Sequence, residues 1–239
     1  MKDTNFYNAE SGIYADKRYP AKTTDYIHYF FKKRLAIVLS LVEKYSVDKR
    51  SLKLLEIGCA DGVVLRKIEE RFGDKFSELR GIDLSPQMIE SAKKNGAENS
   101  KIKYSVRSDS EDVNKDFDVI VEIGVANYTD FLAELKFVQQ RLNRDGYYIL
   151  SVAGSDALAV KLGKARREDF NNLLSYANYE KMIAEYFDII KIVPCSFWLP
   201  KLWKMPALAR IVQPILDFLF SFLLPNFFHE KVYLLRIKK

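Results

Sequence analysis

Residues 54–62, Leu54-Leu55-Glu56-Ile57-Gly58-Cys59-Ala60-Asp61-Gly62, decide the fold. An apolar run ends in glycine, and the residues after it, from Val63 to Arg71, carry helical spacing. Glycine is required at such a junction because a β-carbon would fill the space where the backbone turns sharply or approaches a ligand. Twenty-one residues after Gly62, a second strand ends in Gly81-Ile82-Asp83-Leu84-Ser85. A carboxylate at that point accepts hydrogen bonds from both hydroxyls of a ribose. In an open α/β sheet the crevice beyond the strand ends holds the ligand, so a nucleoside cofactor is expected. Dinucleotide binding asks for GxGxxG, but Ala60 stands at the middle glycine and Val63 at the last. Asp61 and Glu56 place negative charge where a pyrophosphate would lie, and GxxxxGK[ST] is absent. A cofactor with a positive end suits these acids better.

The pattern repeats outward from this stretch. Apolar residues at three- and four-residue steps predict an amphipathic helix over Thr24–Tyr45, capped by Thr23 or Thr24. Strands are expected at Lys53–Cys59, Leu79–Leu84, Ile102–Arg107, Phe117–Ile123, Tyr147–Val152, Phe187–Pro194 and Val232–Ile237. Helices are expected at Val63–Arg71, after the Ser85-Pro86 cap, and at Phe131–Leu142 and Phe170–Ala184. The alternation predicts an α/β fold: a Rossmann-like, doubly wound, seven-stranded sheet with helices on both faces. No regular crossover helix separates the last two strands, so the seventh is expected to be antiparallel. One domain is expected, with a helical cap (1–50), a cofactor-binding core (51–197), an apolar helical insert (198–229) and the final strand (230–239).

Five stretches in the right order carry a family resemblance: LLEIGCADG, GIDLSPQMIESAKKN, SVRSDSED, FDVIVEIGV and FLAELKFVQQRLNRDGYYILSV, together spanning about residues 50–155. They resemble the class I S-adenosylmethionine-dependent methyltransferases, in their small-molecule branch. The departure is Ala60, where the family has glycine. The resemblance implies S-adenosyl-L-methionine as cofactor and assigns roles. Gly58, Cys59, Ala60 and Gly62 would wrap its amino-acid part, with Glu56 supporting the loop or the amino group. Asp83 would hold the ribose, Leu84 and Met88 would flank the adenine, and Asp109 and Ser110 would meet its amino group and ring. Glu122, Ile123 and Gly124 would border the sulfonium. Cys59 reads as a packing residue, since nothing basic adjoins it to make a nucleophile.

The acceptor is read from what surrounds this core. The Asn/Asp-Pro-Pro-aromatic sequence of base N-methyltransferases is absent after Glu122, which argues against nucleic acid, and no acidic cluster suggests a metal. A hydroxyl acceptor calls for a general base, and His28 and His229, the two histidines, are the candidates, while Tyr14, Tyr19 and Tyr128 either line the same mouth or simply pack. Of the 38 Lys/Arg and 32 Asp/Glu that give a net charge of +6, residues 1–50 hold ten against six and 198–239 hold seven against two, so the basic excess lies in the flanks. Residues 198–228 are rich in apolar groups and contain both tryptophans with Lys201, Lys204 and Arg210. Pro214 and Pro225 are expected to bracket a helix of about 15 Å over Ile215–Leu224, half of a hydrocarbon core and too short to cross it. Such a piece suits the headgroup region, with the tryptophans at the interface. The expected acceptor is therefore a small or lipid-linked molecule, favoured as a hydroxyl of a lipid-linked saccharide or amphipathic metabolite. A soluble C- or O-methyltransferase of a quinone-like ring, with the insert as lid or dimer interface, and a catalytically silent cofactor-binding partner are the alternatives. Two cysteines exclude a disulfide framework, and no apolar signal core opens the sequence. A cytoplasmic setting, peripheral on the inner membrane face, is expected.

Overall fold

A computed structural model describes residues 8, 10–46, 49–107, 116–165 and 170–238. A seven-stranded sheet runs β3-β2-β1-β4-β5-β7-β6, from β1 (Leu52–Ile57), β2 (Phe76–Asp83), β3 (Ile102–Val106), β4 (Phe117–Glu122), β5 (Leu142–Val152), β6 (Phe187–Cys195) and β7 (Glu230–Ile237). β1 pairs in parallel with β2 and β4, as do β2 with β3 and β4 with β5. β7 lies antiparallel between β5 and β6. The sheet is doubly wound with an antiparallel last strand, as the alternation predicts.

Helices α1 (Tyr14–Arg18), α2 (Tyr26–Tyr45), α3 (Val63–Phe72), α4 (Pro86–Lys94), α5 (Phe131–Gln139), α6 (Leu158–Lys161), α7 (Tyr176–Tyr186) and α8 (Pro206–Leu223) surround it. Phe30, Val38 and Val42 of α2 and Leu65 and Ile68 of α3 bury one sheet face. Phe131, Leu135, Tyr179 and Ile183 bury the other. Ser85 caps α4 through Met88 N, with Pro86 in the first turn.

Several boundaries differ from expectation. The cap of α2 is Asp25, whose carboxylate accepts from His28 N at 2.8 Å, while Thr24 Oγ1 is spent on the His28 ring at 3.0 Å. α5 stops at Gln139, and β5 begins already at Leu142, five residues before Tyr147, through an irregular register opposite Phe117 and Val119. α7 starts at Tyr176, because Asn172 binds Ala126 O and Thr129 O and so holds the preceding loop open. Pro214 does not bracket a helix but lies inside α8, whose 18 residues make about 27 Å. By length and composition alone α8 is long and apolar enough to cross a membrane, which corrects the expectation of a helix too short to do so. Trp198 and Trp203 are half-buried against the core rather than directed outward, and Trp203 Nε1 donates to Gln213.

Candidate active site

The loop after β1 is held open by three consecutive alternate residues in the left-handed region, Gly58 (φ 70°), Ala60 (φ 47°) and Gly62 (φ 77°). A β-carbon on Gly58 would lie 2.1 Å from Val125 Cγ2, and one on Gly62 2.3 Å from the Tyr104 hydroxyl, so both glycines are sterically required. Ala60 accepts the strained conformation with its side chain present. That costs about 1 kcal/mol or more relative to glycine, and Ala60→Gly is expected to leave thermal stability unchanged or raised on a melting curve. The loop is tied to the neighbouring strand: Gly58 N and Cys59 N both donate to Ile82 O, and Ala60 N donates to Asp83 Oδ2 at 2.9 Å. The second Asp83 oxygen accepts from Ser85 N. Asp83 is thereby fixed at the end of β2, with lone pairs remaining on both oxygens.

Glu56, Gly58, Cys59, Ala60, Val63, Val64 and Ile123 line one narrow cleft with Tyr14, Tyr19 and Arg34. The N-terminal segment covers it. Ala15 N donates to Asp61 Oδ2 at 3.1 Å, and Ser85 Oγ donates to Asn8 Oδ1 at 2.6 Å. Three carboxylates, Glu56, Asp61 and Asp83, surround the loop, and burial raises the pKa of each, Glu56 well above its ordinary value. Glu56 also feels Asp83 and Asp61 as like charges. Glu56 Oε2 and Asp61 Oδ1 are buried with no hydrogen-bond partner in the fold. Buried carboxylate oxygens are ordinarily satisfied, so these two mark the place of a ligand with N–H or cationic character. S-adenosyl-L-methionine, with its ammonium and sulfonium groups, fits this donor-hungry pocket, and its ribose fits Asp83.

Arg34 is the residue that the sequence reading missed. It reaches from α2 over Gly124, whose absent β-carbon would lie 2.7 Å from the guanidinium, and pairs with buried Glu230 at 3.1 Å. Its Nε has no partner in the fold, and among the described lining residues it is the cation that could meet the cofactor's carboxylate. Its position was signalled: Tyr26, Phe30, Arg34, Val38 and Val42 form one buried row at four-residue steps, with a single charge in it.

Other anticipated residues lie apart from the loop. Leu84 is exposed at the strand end, and Met88 is buried in the first turn of α4. The Glu122 side chain turns to the far sheet face, where Tyr148 Oη donates to it. Asp109 and Ser110 fall outside the described residues. Neither histidine is in the cleft lining among the described residues. His28 sits at the exposed start of α2, and His229 packs edge-on to Phe30 with its pKa lowered by burial, so it is neutral. Tyr128 stacks on Phe170. Cys59 is buried and its thiol is pushed up by burial and by Glu56, which removes nucleophilic character. A second depression, lined by Lys49, Arg50, Asp118 and Asn143, lies at the amino ends of the strands, the wrong end for a ligand in a parallel sheet. Among the described residues, no group of His, Cys, Asp and Glu could hold a metal ion.

Replacing Asp83 with asparagine is expected to weaken cofactor binding about tenfold in calorimetry, as loss of a charged acceptor for two hydroxyls does. Unchanged affinity would remove the ribose assignment.

The comparisons agree with this geometry. Residues 55–148 match the family model described as a methyltransferase domain. Malonyl-[acyl-carrier protein] O-methyltransferase 1 of Ilyobacter polytropus is 26% identical over 155 residues, covering 63% of this chain and 54% of that protein. The chain spans about half the length of the curated relatives it matches. Magnesium protoporphyrin IX methyltransferase of Synechocystis, solved with bound SAH, superposes with TM-score 0.66 at 12% identity over 99% of both chains. The N-methyltransferase NodS of Bradyrhizobium japonicum, also solved with SAH, gives 0.61 at 16% identity over 88% of both. The glycine loop, the acidic cleft and the sheet order thus agree with a methyltransferase domain over residues 55–148 and with the fold of these SAH-bound structures.

Proposed function

We propose that the chain transfers a methyl group from S-adenosyl-L-methionine to a hydroxyl of an amphipathic acceptor, a lipid-linked saccharide or a comparable metabolite, at the inner membrane face. The observation that carries this reading is the apolar insert. It leaves the carboxyl end of β6, the end of the sheet where the cleft opens, and packs on α2, the helix that brings Arg34 to the cleft. An acceptor with an apolar tail would find a matching surface there.

The bound cofactor supplies an electrophilic methyl on a sulfonium. The chain's residues position it. Glu56 and Asp61 would hold the cationic end, Asp83 the ribose and Arg34 the carboxylate, while Asn8 and residues 10–19 would exclude water. Burial raises the pKa of Tyr14 and Tyr19, so both phenols stay protonated and orient an acceptor by donating. As the acceptor oxygen takes the methyl, its proton would pass to water at the acceptor end of the cleft, since no histidine is among the described lining, and in-line placement would carry the rest of the catalysis. The free, buried cysteines accord with a reducing compartment.

The test is to incubate the purified chain with cofactor radiolabelled on the methyl group and with total lipid, RNA and protein extracts kept separate. Label is expected in the lipid fraction and should resist mild base, as an ether does. Label confined to RNA or protein, or incorporation into none of the three, would sink the acceptor reading.

A further inference from the structure

Helix α8 is amphipathic in the inverted sense. Its buried residues are Ala209, Gln213 and Asp217, one row at four-residue steps that includes two of its four polar side chains. Its opposite face is apolar and open: Ile211 is 68% exposed, Phe218 66% and Phe222 74%, with Leu208, Ile215, Leu219 and Leu223 alongside. A helix on the surface of a water-soluble domain turns the other way.

The buried row forms a closed polar clasp. Asp217 Oδ1 accepts from Phe197 N at 2.8 Å and from Gln213 Nε2 at 2.9 Å. Asp217 Oδ2 accepts from Tyr29 Oη at 2.8 Å, with Lys33 Nζ at 3.9 Å. Gln213 is completed by Phe197 O and Trp203 Nε1. Near the other end, the Phe220 ring stacks on Phe197 at 4.5 Å. Standing α8 upright in a bilayer would strip these partners from a buried carboxylate and leave it unsatisfied. The clasp holds the helix on its side.

We infer that α8 lies in the plane of an anionic bilayer surface as a monotopic anchor, its Ile211–Phe218–Phe222 face among the acyl chains and its buried row on the domain. Charge selects lipid over a second copy of the chain. Between residues 198 and 229 the one acid is Asp217, which is buried, while Lys201, Lys204 and Arg210 are exposed around the apolar face. Two copies placed face to face would bring these cations toward one another, whereas anionic headgroups neutralise them. The anchor deepens the lipid-borne acceptor reading and rests on it for its purpose, but docking is measured without cofactor or acceptor.

The full chain is expected to float with phosphatidylglycerol/phosphatidylcholine vesicles, and less with phosphatidylcholine alone. The double change Phe218→Glu with Phe222→Glu is expected to lower the bound fraction tenfold or more, since it removes two aromatic rings from the buried face and adds two like charges to an anionic surface. Its calorimetric affinity for S-adenosyl-L-methionine should match the parent's. Ile211→Glu with Ile215→Glu, about two turns earlier, repeats the test should the first pair disturb folding. An intact chain that stays in the dense fraction, or variants that float as well as the parent, would overturn the anchor. So would a parent dimer in sedimentation that the substitutions dissociate. Flotation without a labelled lipid product leaves the anchor standing and removes the acceptor reading. A labelled lipid product without flotation does the reverse.

Discussion

Arg34→Ala is expected to lower unfolding free energy by about 3–5 kcal/mol, the range for breaking a buried ion pair, and to weaken S-adenosyl-L-methionine binding as well. The stability loss comes from Glu230, which would be left charged and buried where the guanidinium now meets both of its oxygens, at 3.1 and 3.4 Å. Burial alone would favour loss of the arginine proton, but Glu230 overrides it and the side chain stays charged. The Phe30 and Phe31 rings, 5.1 and 4.6 Å from its central carbon, hold the guanidinium over Gly124. A loss of both stability and binding would not by itself separate structure from recognition. The double variant Arg34→Met, Glu230→Leu does. Removing both charges is close to neutral for a buried pair, so stability measured by urea unfolding is expected to return to within about 1 kcal/mol of the parent. Cofactor affinity is expected to stay at least about tenfold down, because the charge partner for its carboxylate is still missing. Full recovery of binding in the double variant would reduce Arg34 to a strut.

That arginine also shows where sequence reading runs out. The glycine loop, Asp83 and the Ser85 cap were legible because each is dictated locally, by backbone clearance or by a side chain two or three residues away. The strand series was legible for the same reason, since a parallel strand buried on both faces writes a short apolar run. Arg34 and Asp217 act across long chain separations, Arg34 on Glu230 and Asp217 on Tyr29. Periodicity marks that they lie in buried rows but not what they meet there. Pro214 misled because proline is read as a helix end. Here the clasp at Gln213 and Asp217 fastens the turns on both sides of it, and tertiary contacts outweigh one lost hydrogen bond. Glu122 misled through its neighbours: the strand-end position suits a ligand contact, yet pleat alternation sends Ile123 to the cleft and Glu122 to the opposite layer.

Glu122→Gln is expected to make the protein more stable than the parent at pH 8, by about 1–3 kcal/mol, with the two unfolding curves converging near pH 5. Glu122 and Glu134 are both buried and share one cation, Arg107, which sits 2.7 Å from Glu134. Burial first, and then the Glu134 charge, push Glu122 up to about 8, against which the Tyr148 hydrogen bond and Arg107 are too weak. Between its ordinary value near 4.5 and about 8, the native state therefore holds a proton that the unfolded chain has released. Stability is at its fullest below that window and falls as pH rises through it, by up to about 1.4 kcal/mol for each pH unit before relaxation of the interior reduces the slope. Glutamine keeps an acceptor for Tyr148 Oη and cannot ionise, so this part of the slope disappears. Glu56, Asp61 and Asp83 contribute slopes of the same sign, but they are present in both proteins and cancel in the difference. Urea unfolding at half-unit steps from pH 5 to 8 reads the difference directly, and parallel curves would refute a proton on Glu122. Because its carboxylate faces Tyr148 and not the glycine loop, the same variant is expected to bind S-adenosyl-L-methionine within about twofold of the parent, a change too small to be a lost charged contact. A larger loss would return Glu122 to the sulfonium border that the family resemblance gave it.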